Sequence, residues 1–544
     1  MGRRPSRRGS RVPRRRRAVH RPHRRPGRGR TTRDRAARRP RPHAEDGADD
    51  AARRPLTRAR GRRSRLRSSI APAAPRPIRC DAQPPARRPD RRDPAARICG
   101  RGARVTVRHE LRALGRLAAP IALANLGGQL LAFVDMVMLG RYHSAALAGA
   151  GIASTVILMV QVVGMGAVLG LDTLVPQALG AGEAGRARRL LWAGIRVAVT
   201  VGVPLTAIAG ATVAIYPRFG VAPAVATDAR LYTLWRLPAL LPMLIVTAQR
   251  AYLQAAGTTR PILVAIAAAN ALNVPLNAAL IFGLPEVGLP PLGVAGAALA
   301  TDVVSIAMAG ILALAIRGVA APPSREPIAP LARKTLRVGL PVGLQYGAEV
   351  GAFALVGVLA GAIGERAAAG HQVALTLASV AFNAALGLGS AAAVRVGQAV
   401  GRGDPAGTRR AGATALAAAL GVMSISAVCL VAVPHALARW VTDDVAVAAT
   451  AVPLIRIAAL FQLSDGAQAV GAGVLRGCGD TRAAFAGNVA GHYAVGIPLA
   501  IALAFGAGWG AVGLWCGLSA GLTAVALALW VRFFSRAKTP IARA

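Results

Sequence analysis

Three carboxylates stand where their neighbours ask for hydrocarbon. Asp135 lies in "FVDMVMLG" (133–140), Glu349 in "GLQYGAEVGAF" (343–353) and Asp465 in "FQLSDGAQAVG" (461–471). A carboxylate near mid-bilayer costs about 2.5–3.5 kcal/mol on insertion scales, so an acid kept there has something to offset it. The chemistry that suits it is a change of charge, by taking up and releasing a proton or a cation. Amides share the same helix faces. Gln345 precedes Glu349 by four residues, Gln462, Asp465 and Gln468 are three apart, and Asn270, Asn273 and Asn277 are three and four apart. Together with Gln129 and Gln372, these amides are expected to make the polar, substrate-binding lining of a cavity. Hydrogen bonding between helices accounts for the amides equally well. It accounts poorly for the acids, which would need basic partners at the same depth; Arg456, nine residues before Asp465, is one candidate. Asp302 is a fourth buried acid without an assignable role, His492 is a lone intramembrane histidine, and His371 sits with Gln372 early in a span, near the expected cavity mouth.

Such residues must be carried by membrane-spanning helices. The 544-residue chain joins two unlike compositions: residues 1–110 hold 37 arginines, no lysine and 9 acidic residues, whereas from Leu111 onward Ala, Gly, Leu and Val dominate. Apolar stretches of about 18 residues or more recur there, which is the signature of bilayer-spanning helices. Twelve spans are predicted, near 117–139, 145–170, 190–215, 231–250, 261–283, 292–316, 336–363, 366–392, 411–433, 446–472, 483–506 and 510–533. Arginine and lysine concentrate in the connectors on one side, among them Arg186, Arg188, Arg189, Arg260, Arg317, Arg333, Lys334, Arg402, Arg409 and Arg410. The positive-inside rule then places both termini in the cytoplasm. Trp440, Trp509 and Trp530 fall near span ends, where indole favours the interface. The five cysteines, Cys80, Cys99, Cys429, Cys478 and Cys516, show no paired spacing, so neither a disulfide framework nor a metal site is expected.

The first 110 residues lack apolar periodicity and are expected to be disordered. An arginine cluster can bind nucleic acid or anionic lipid. The absence of lysine among so many arginines, prolines and glycines instead suggests translated upstream GC-rich DNA, with the true start near Val105 or Val107. No nucleic-acid partner is expected on that reading.

The remainder is a duplication. "QALGAGEAGRARR" (177–189) aligns without a gap on "QAVGRGDPAGTRR" (398–410), and the same offset of 221 places Pro120 on Pro341 and Gly140 on Gly361. Further on, "GTTR" (257–260) matches "GDTR" (479–482), and "PLNAALIFG" (275–283) matches "PLAIALAFG" (498–506). Each half has an even number of spans, so the repeat is parallel. The expected fold is an all-α polytopic membrane protein: twelve transmembrane helices in two six-helix lobes with a central cavity, a first lobe over 111–330 and a second over 331–544. The acids break the symmetry, since Asp135 falls on Val356 and Glu349 on Gly128. Scaffolding should repeat; these residues do not, which marks them as functional.

"GLPVGLQYGAEVGAF", "GHQVALTLASVAFNAALGLGSAAAVRVGQAVGRGD" and "FQLSDGAQAVGAGVLRGCGDTR", with "FVDMVMLG" and "NVPLNAALIFG", resemble the signature stretches of the multidrug and toxic compound extrusion (MATE) family in its NorM-type branch, over about residues 115–535. The resemblance implies a cation-coupled antiporter that expels lipophilic, cationic drugs by rocking its two lobes. It implies that Asp135 is the first-lobe coupling acid, and that Glu349 and Asp465 bind the coupling ion, Na+ or H+, with Na+ held by that pair. Asn273 and Asn277 match a polar pair of the fifth span; where another branch carries an Asp, this chain has Asn277. It further implies a monomer in the lipid of a bacterial inner membrane, small-molecule drugs or organic cations as partners, and no cofactor. A flippase for lipid-linked oligosaccharides of similar architecture is the nearest alternative; it would want a cationic cavity for pyrophosphate, and the candidate residues are acidic. An enzyme is not expected, for no phosphate-binding Gly-Lys-Ser/Thr loop, paired metal-ligand motif or nucleophile with a base occurs.

Overall fold

The structure, a computed structural model, describes residues 107–220 and 222–544. The expectations of disorder and of a later start concern residues that lie outside these, apart from 107–110. That last stretch is helical, and Glu110 within it accepts from Arg395 Nε and Nη2 at 2.8 and 2.7 Å. The boundary drawn at 110 is thus four residues late. An apolar-run criterion cannot see a first helical turn whose contribution is an ion pair.

Among the described residues, twelve helices are long and apolar enough to cross a membrane: α1 Arg108–Tyr142, α2 Ser144–Gly180, α3 Ala184–Ala214, α4 Pro223–Ala255, α5 Arg260–Phe282, α6 Val294–Arg317, α7 Ile328–Ile363, α8 Glu365–Gly401, α9 Pro405–Ala432, α10 Val445–Cys478, α11 Thr481–Gly506 and α12 Gly510–Arg536. In hydrocarbon no water satisfies backbone amides, so a helix that closes its own hydrogen bonds is what these sequences can form. Exposed apolar side chains such as Phe133, Leu314, Ile425 and Val531 give the outer surface a lipid-compatible face. Trp440 and Trp509 are exposed at helix ends as expected. Trp530 is not an interface residue: it is buried, and its indole donates to the Ala467 carbonyl at 2.9 Å.

The duplication is visible in the packing. In the first lobe α1 packs on α5, α2 and α3 on α4, and α4 and α5 on α6; in the second α7 packs on α11, α8 and α9 on α10, and α10 and α11 on α12. Each pair reappears six helices later. Equivalent connectors also share a backbone demand, for Gly182 and Gly403 have φ of 80° and 67°, and Gly257 and Gly479 have 72° and 80°, a region that a side chain enters only at a cost. One departure from the symmetry is local: α5 is α-helical throughout, whereas α11 opens into π-helical turns at Ala490–Gly496 and Ala502–Gly506.

Between lobes, α1 packs on α8 and α2 on α7. Glycines make this seam. The backbones of Gly166 and Gly343 touch across it, and a Cβ on Gly170 would lie 3.0 Å from Gly339 N and closer still to the Thr335 carbonyl oxygen. Gly180 and Gly401 lie as tightly against the backbones of Gln398 and Gln177. Beside the seam, Thr173 Oγ1 donates to Arg476 O at 2.6 Å, Gln177 Nε2 to Gly477 O at 2.9 Å, and Gln398 Nε2 to Ala255 O at 3.1 Å. All three sit where α2, α4, α8 and α10 end. The lobes are therefore shut at the end that bears the arginine-rich connectors.

Candidate functional site

The structure gathers the sequence-predicted residues into two separate polar clusters, one per lobe. In the first, Asp135 on α1 is buried among α5 and α6. Asn273 and Asn277 donate to its Oδ1 at 2.9 and 2.5 Å, and Thr301 Oγ1 donates to Oδ2 at 3.0 Å. Asn277 also donates to Asn273 Oδ1 at 3.1 Å. The i, i+4 spacing of the two asparagines and the placing of Thr301 one helix over put three neutral donors on one carboxylate. That satisfies the charge without an ion pair. Thr301 has a second outlet, the Ala297 carbonyl at 3.1 Å. Its single proton can turn to either acceptor, so the hydroxyl can donate to an ionised Asp135 or accept from a protonated one.

In the second cluster, Glu349 on α7 accepts from Gln468 Nε2 of α10 at 3.1 Å and from Asn488 Nδ2 of α11 at 3.3 Å. Asp465 is buried one helical turn before Gln468 on the same helix. Four amide oxygens here, Gln345 Oε1, Gln462 Oε1, Gln468 Oε1 and Asn488 Oδ1, are buried without a donor among the described residues. Carboxylates and amide carbonyl oxygens are ligand types that a hard cation takes. Under the repeat, Glu349 falls on Gly128, seven residues before Asp135. At 1.5 Å per residue the two acids are offset along equivalent helices by about 10 Å.

Other expected residues fall elsewhere. Gln129 and Gln372 are exposed and join neither cluster. Arg456 is exposed and makes no ion pair with Asp465, so it does not serve as the partner of that acid. Asn270 donates to Gly127 O at 3.0 Å, binding α5 to α1. Asp302 has a structural partner in Arg236 of α4 at 3.7 Å. His492 packs near Phe353 and His371 near Trp515, both buried, with one ring nitrogen of each unpartnered among the described residues.

A cavity of about 170 Å³ between the lobes is lined by other polar residues, among them Asn125, Asp172, Arg250 and Gln254 from the first lobe and Tyr346, Ser390 and Arg476 from the second. Sequence reasoning missed its charges for one reason. Asp172 lies two residues past the predicted end of the second span, Arg250 closes the fourth, and Arg476 lies four past the tenth. An apolar window ends a span where charge appears, but these helices continue to Gly180, Ala255 and Cys478. The available signal was the repeated connectors, which begin only after those residues.

Comparison with known proteins agrees with this architecture. The MatE family model matches residues 120–279 and again 341–502, once per lobe. The multidrug resistance protein NorM of Burkholderia vietnamiensis is 36% identical over 437 residues, covering 78% of this chain and 94% of the relative. The crystal structure of the eukaryotic MATE transporter AtDTX14 superposes with a TM-score of 0.72 at 24% identity, over 79% of this chain and 96% of that one. A multidrug resistance MATE family transporter described in an outward-facing conformation gives 0.73 at 18% identity, with the same coverage.

Proposed function

The chain belongs to the MatE family, and from that premise we propose that it is a multidrug efflux transporter of the inner membrane, driven by antiport of Na+ or H+ through alternating access. The observation that carries the coupling is the pair of buried carboxylate clusters, one in each lobe, ligated by neutral donors. A buried acid held by an arginine is a fixed ion pair; an acid held by amides and a hydroxyl can lose its charge without stranding a buried counter-charge. At Asp135, Thr301 absorbs the change by turning its hydroxyl to Ala297 O. At Glu349 and Asp465, the orphaned amide oxygens favour a cation as the coupling species.

We assign the arginine-rich end to the cytoplasm, together with both termini, on the positive-inside rule. The seam then closes the cytoplasmic side, and the state seen is the one that releases drug outward. Loading the acids from outside removes charge from the lobes and shifts their equilibrium, provided that the ion binds the two states unequally. One charge moved through 100 mV supplies about 2.3 kcal/mol, which sustains roughly fiftyfold accumulation. The substrates are small lipophilic molecules, and a monomer suffices, since each cluster is complete within one chain.

The test is ethidium efflux from vesicles with Na+ and pH gradients imposed separately, beside Asp135→Asn and Glu349→Gln. Gradient-driven efflux lost in either variant is expected. Inserted wild-type protein that moves no dye under either gradient would refute antiport.

A further inference from the structure

Among the polar groups between the lobes that the antiport reading does not use are two cavity arginines. Arg476 is 3% exposed; its Nη1 donates to the Tyr346 hydroxyl at 3.0 Å, and its guanidinium lies 5.7 Å from the centre of the Tyr346 ring. Arg250 donates from Nη2 to Asn125 Oδ1 at 2.8 Å. Each guanidinium is thus held by one neutral acceptor, and each has a buried Nε with no partner among the described residues. Asp172 lines the same cavity, yet no ion pair within 4.0 Å joins it to either arginine among the described residues. The cavity therefore holds two positive charges and one negative, with donors to spare.

A gate latch would look different. The links that do join the lobes here use the backbone of Arg476 and Gly477, not the guanidinium. Buried guanidinium groups left with unused N–H donors are costly and favour a planar oxyanion that accepts from the fork. We propose that Arg250 and Arg476 form a subsite for the carboxylate of a transported molecule that bears a single such group, an assignment that rests on the efflux reading above. The charge balance limits the ligand to one negative charge. A pyrophosphate would bring at least two, and Asp172 would repel the excess. Met165, Leu169 and Leu386 supply an apolar wall beside the charges, suited to a ring that bears the carboxylate. The volume admits that ring and not a whole multi-ring drug, so the remainder of the molecule extends out of the cavity.

Rhodamine 110 and rhodamine 123 are a matched pair of dyes, the second being the methyl ester of the first, so they differ in one carboxylate. Their binding to the full chain in nanodiscs is followed by fluorescence polarisation, with benzoate and inorganic pyrophosphate as competitors. Arg250→Gln and Arg476→Gln are expected to raise the rhodamine 110 Kd at least tenfold relative to that of rhodamine 123, Asp172→Asn to lower it, and benzoate to displace rhodamine 110 more effectively than pyrophosphate. Arg250→Gln carries the test alone if Arg476→Gln does not fold. Equal losses for both dyes, or displacement by pyrophosphate and not by benzoate, overturn the subsite and leave efflux standing. A wild-type protein that binds neither dye overturns the subsite, and the ethidium assay then decides whether the efflux reading falls with it.

Discussion

Replacing Gly170 by alanine should hold the lobes apart at the connector end. Gly170 has φ of −55° and ψ of −22°, open to any residue, so the substitution strains nothing within its own helix. The obstacle is across the seam: the new methyl would lie 3.0 Å from Gly339 N, nearer still to the Thr335 carbonyl, against ordinary contact from 3.4 Å outward. Both neighbours are backbone of α7, which cannot yield as a side chain can. Overpacking of this kind costs about 1–3 kcal/mol, and the cost falls only on the state in which the seam is closed. At a factor of ten per 1.4 kcal/mol, the equilibrium should move about 5- to 150-fold towards the opposite state. Electron–electron resonance between nitroxides at Arg317 and Ala406, exposed positions at that end of opposite lobes, reads the populations directly. Gly151→Ala is the control, since nothing lies within 4 Å of its added methyl. A Gly170→Ala distance distribution that matches the wild type and Gly151→Ala would refute the idea that backbone contact sets the closed state.

Thr301→Val should abolish coupled efflux while Thr301→Ser retains most of it, since only the hydroxyl serves Asp135; equal effects on ethidium efflux would count against the two-acceptor role. Asn277→Leu, which removes one donor from a buried carboxylate, should lower thermal stability in nanodiscs by about 1–3 kcal/mol as well as impair efflux. Glu110→Gln should lower stability, because it leaves Arg395 without its carboxylate, and Arg395→Met with Glu110→Leu should recover part of the loss; thermal unfolding of the three proteins decides. A chain beginning at residue 105 should transport ethidium as the full chain does, and one beginning at residue 116, which lacks Glu110, should not.

The fold was legible because its determinants are periodic and repeated. Twelve apolar runs and four matching connector sequences suffice to give helix number, order and the twofold relation. The Asp135 cluster was half legible: helical spacing puts Asn273 and Asn277 on one face, but nothing in the sequence announces that Thr301, from another helix, completes it. Gln129 and Gln372 fall outside both clusters, and polarity within a span does not say which way a helix is turned. The cavity charges were hidden by the criterion that found the spans. Asp172, Arg250 and Arg476 are tolerated inside helices because those helix ends are buried against the other lobe, a tertiary fact with no local signature.

The π-helical turn at Ala490–Gly496 falls where the two copies go out of step. The two copies run at an offset of 221 from Pro120 and Pro341 through Gly182 and Gly403, at 222 by Arg260 and Arg482, and at 223 by Pro275 and Pro498. One residue was gained between positions 482 and 498, the stretch where α11 opens into a π turn, and a π turn is how a helix absorbs an extra residue without breaking. The π turn takes up the extra residue, so that beyond it α11 corresponds to α5 at an offset of 223, where Asn273 falls on Gly496 and Asn277 on Ala500. The amide that serves Glu349 comes instead from Asn488, just before the π turn. The two copies of one six-helix unit thus carry polar clusters of different composition, with a π turn in only one of the two equivalent helices.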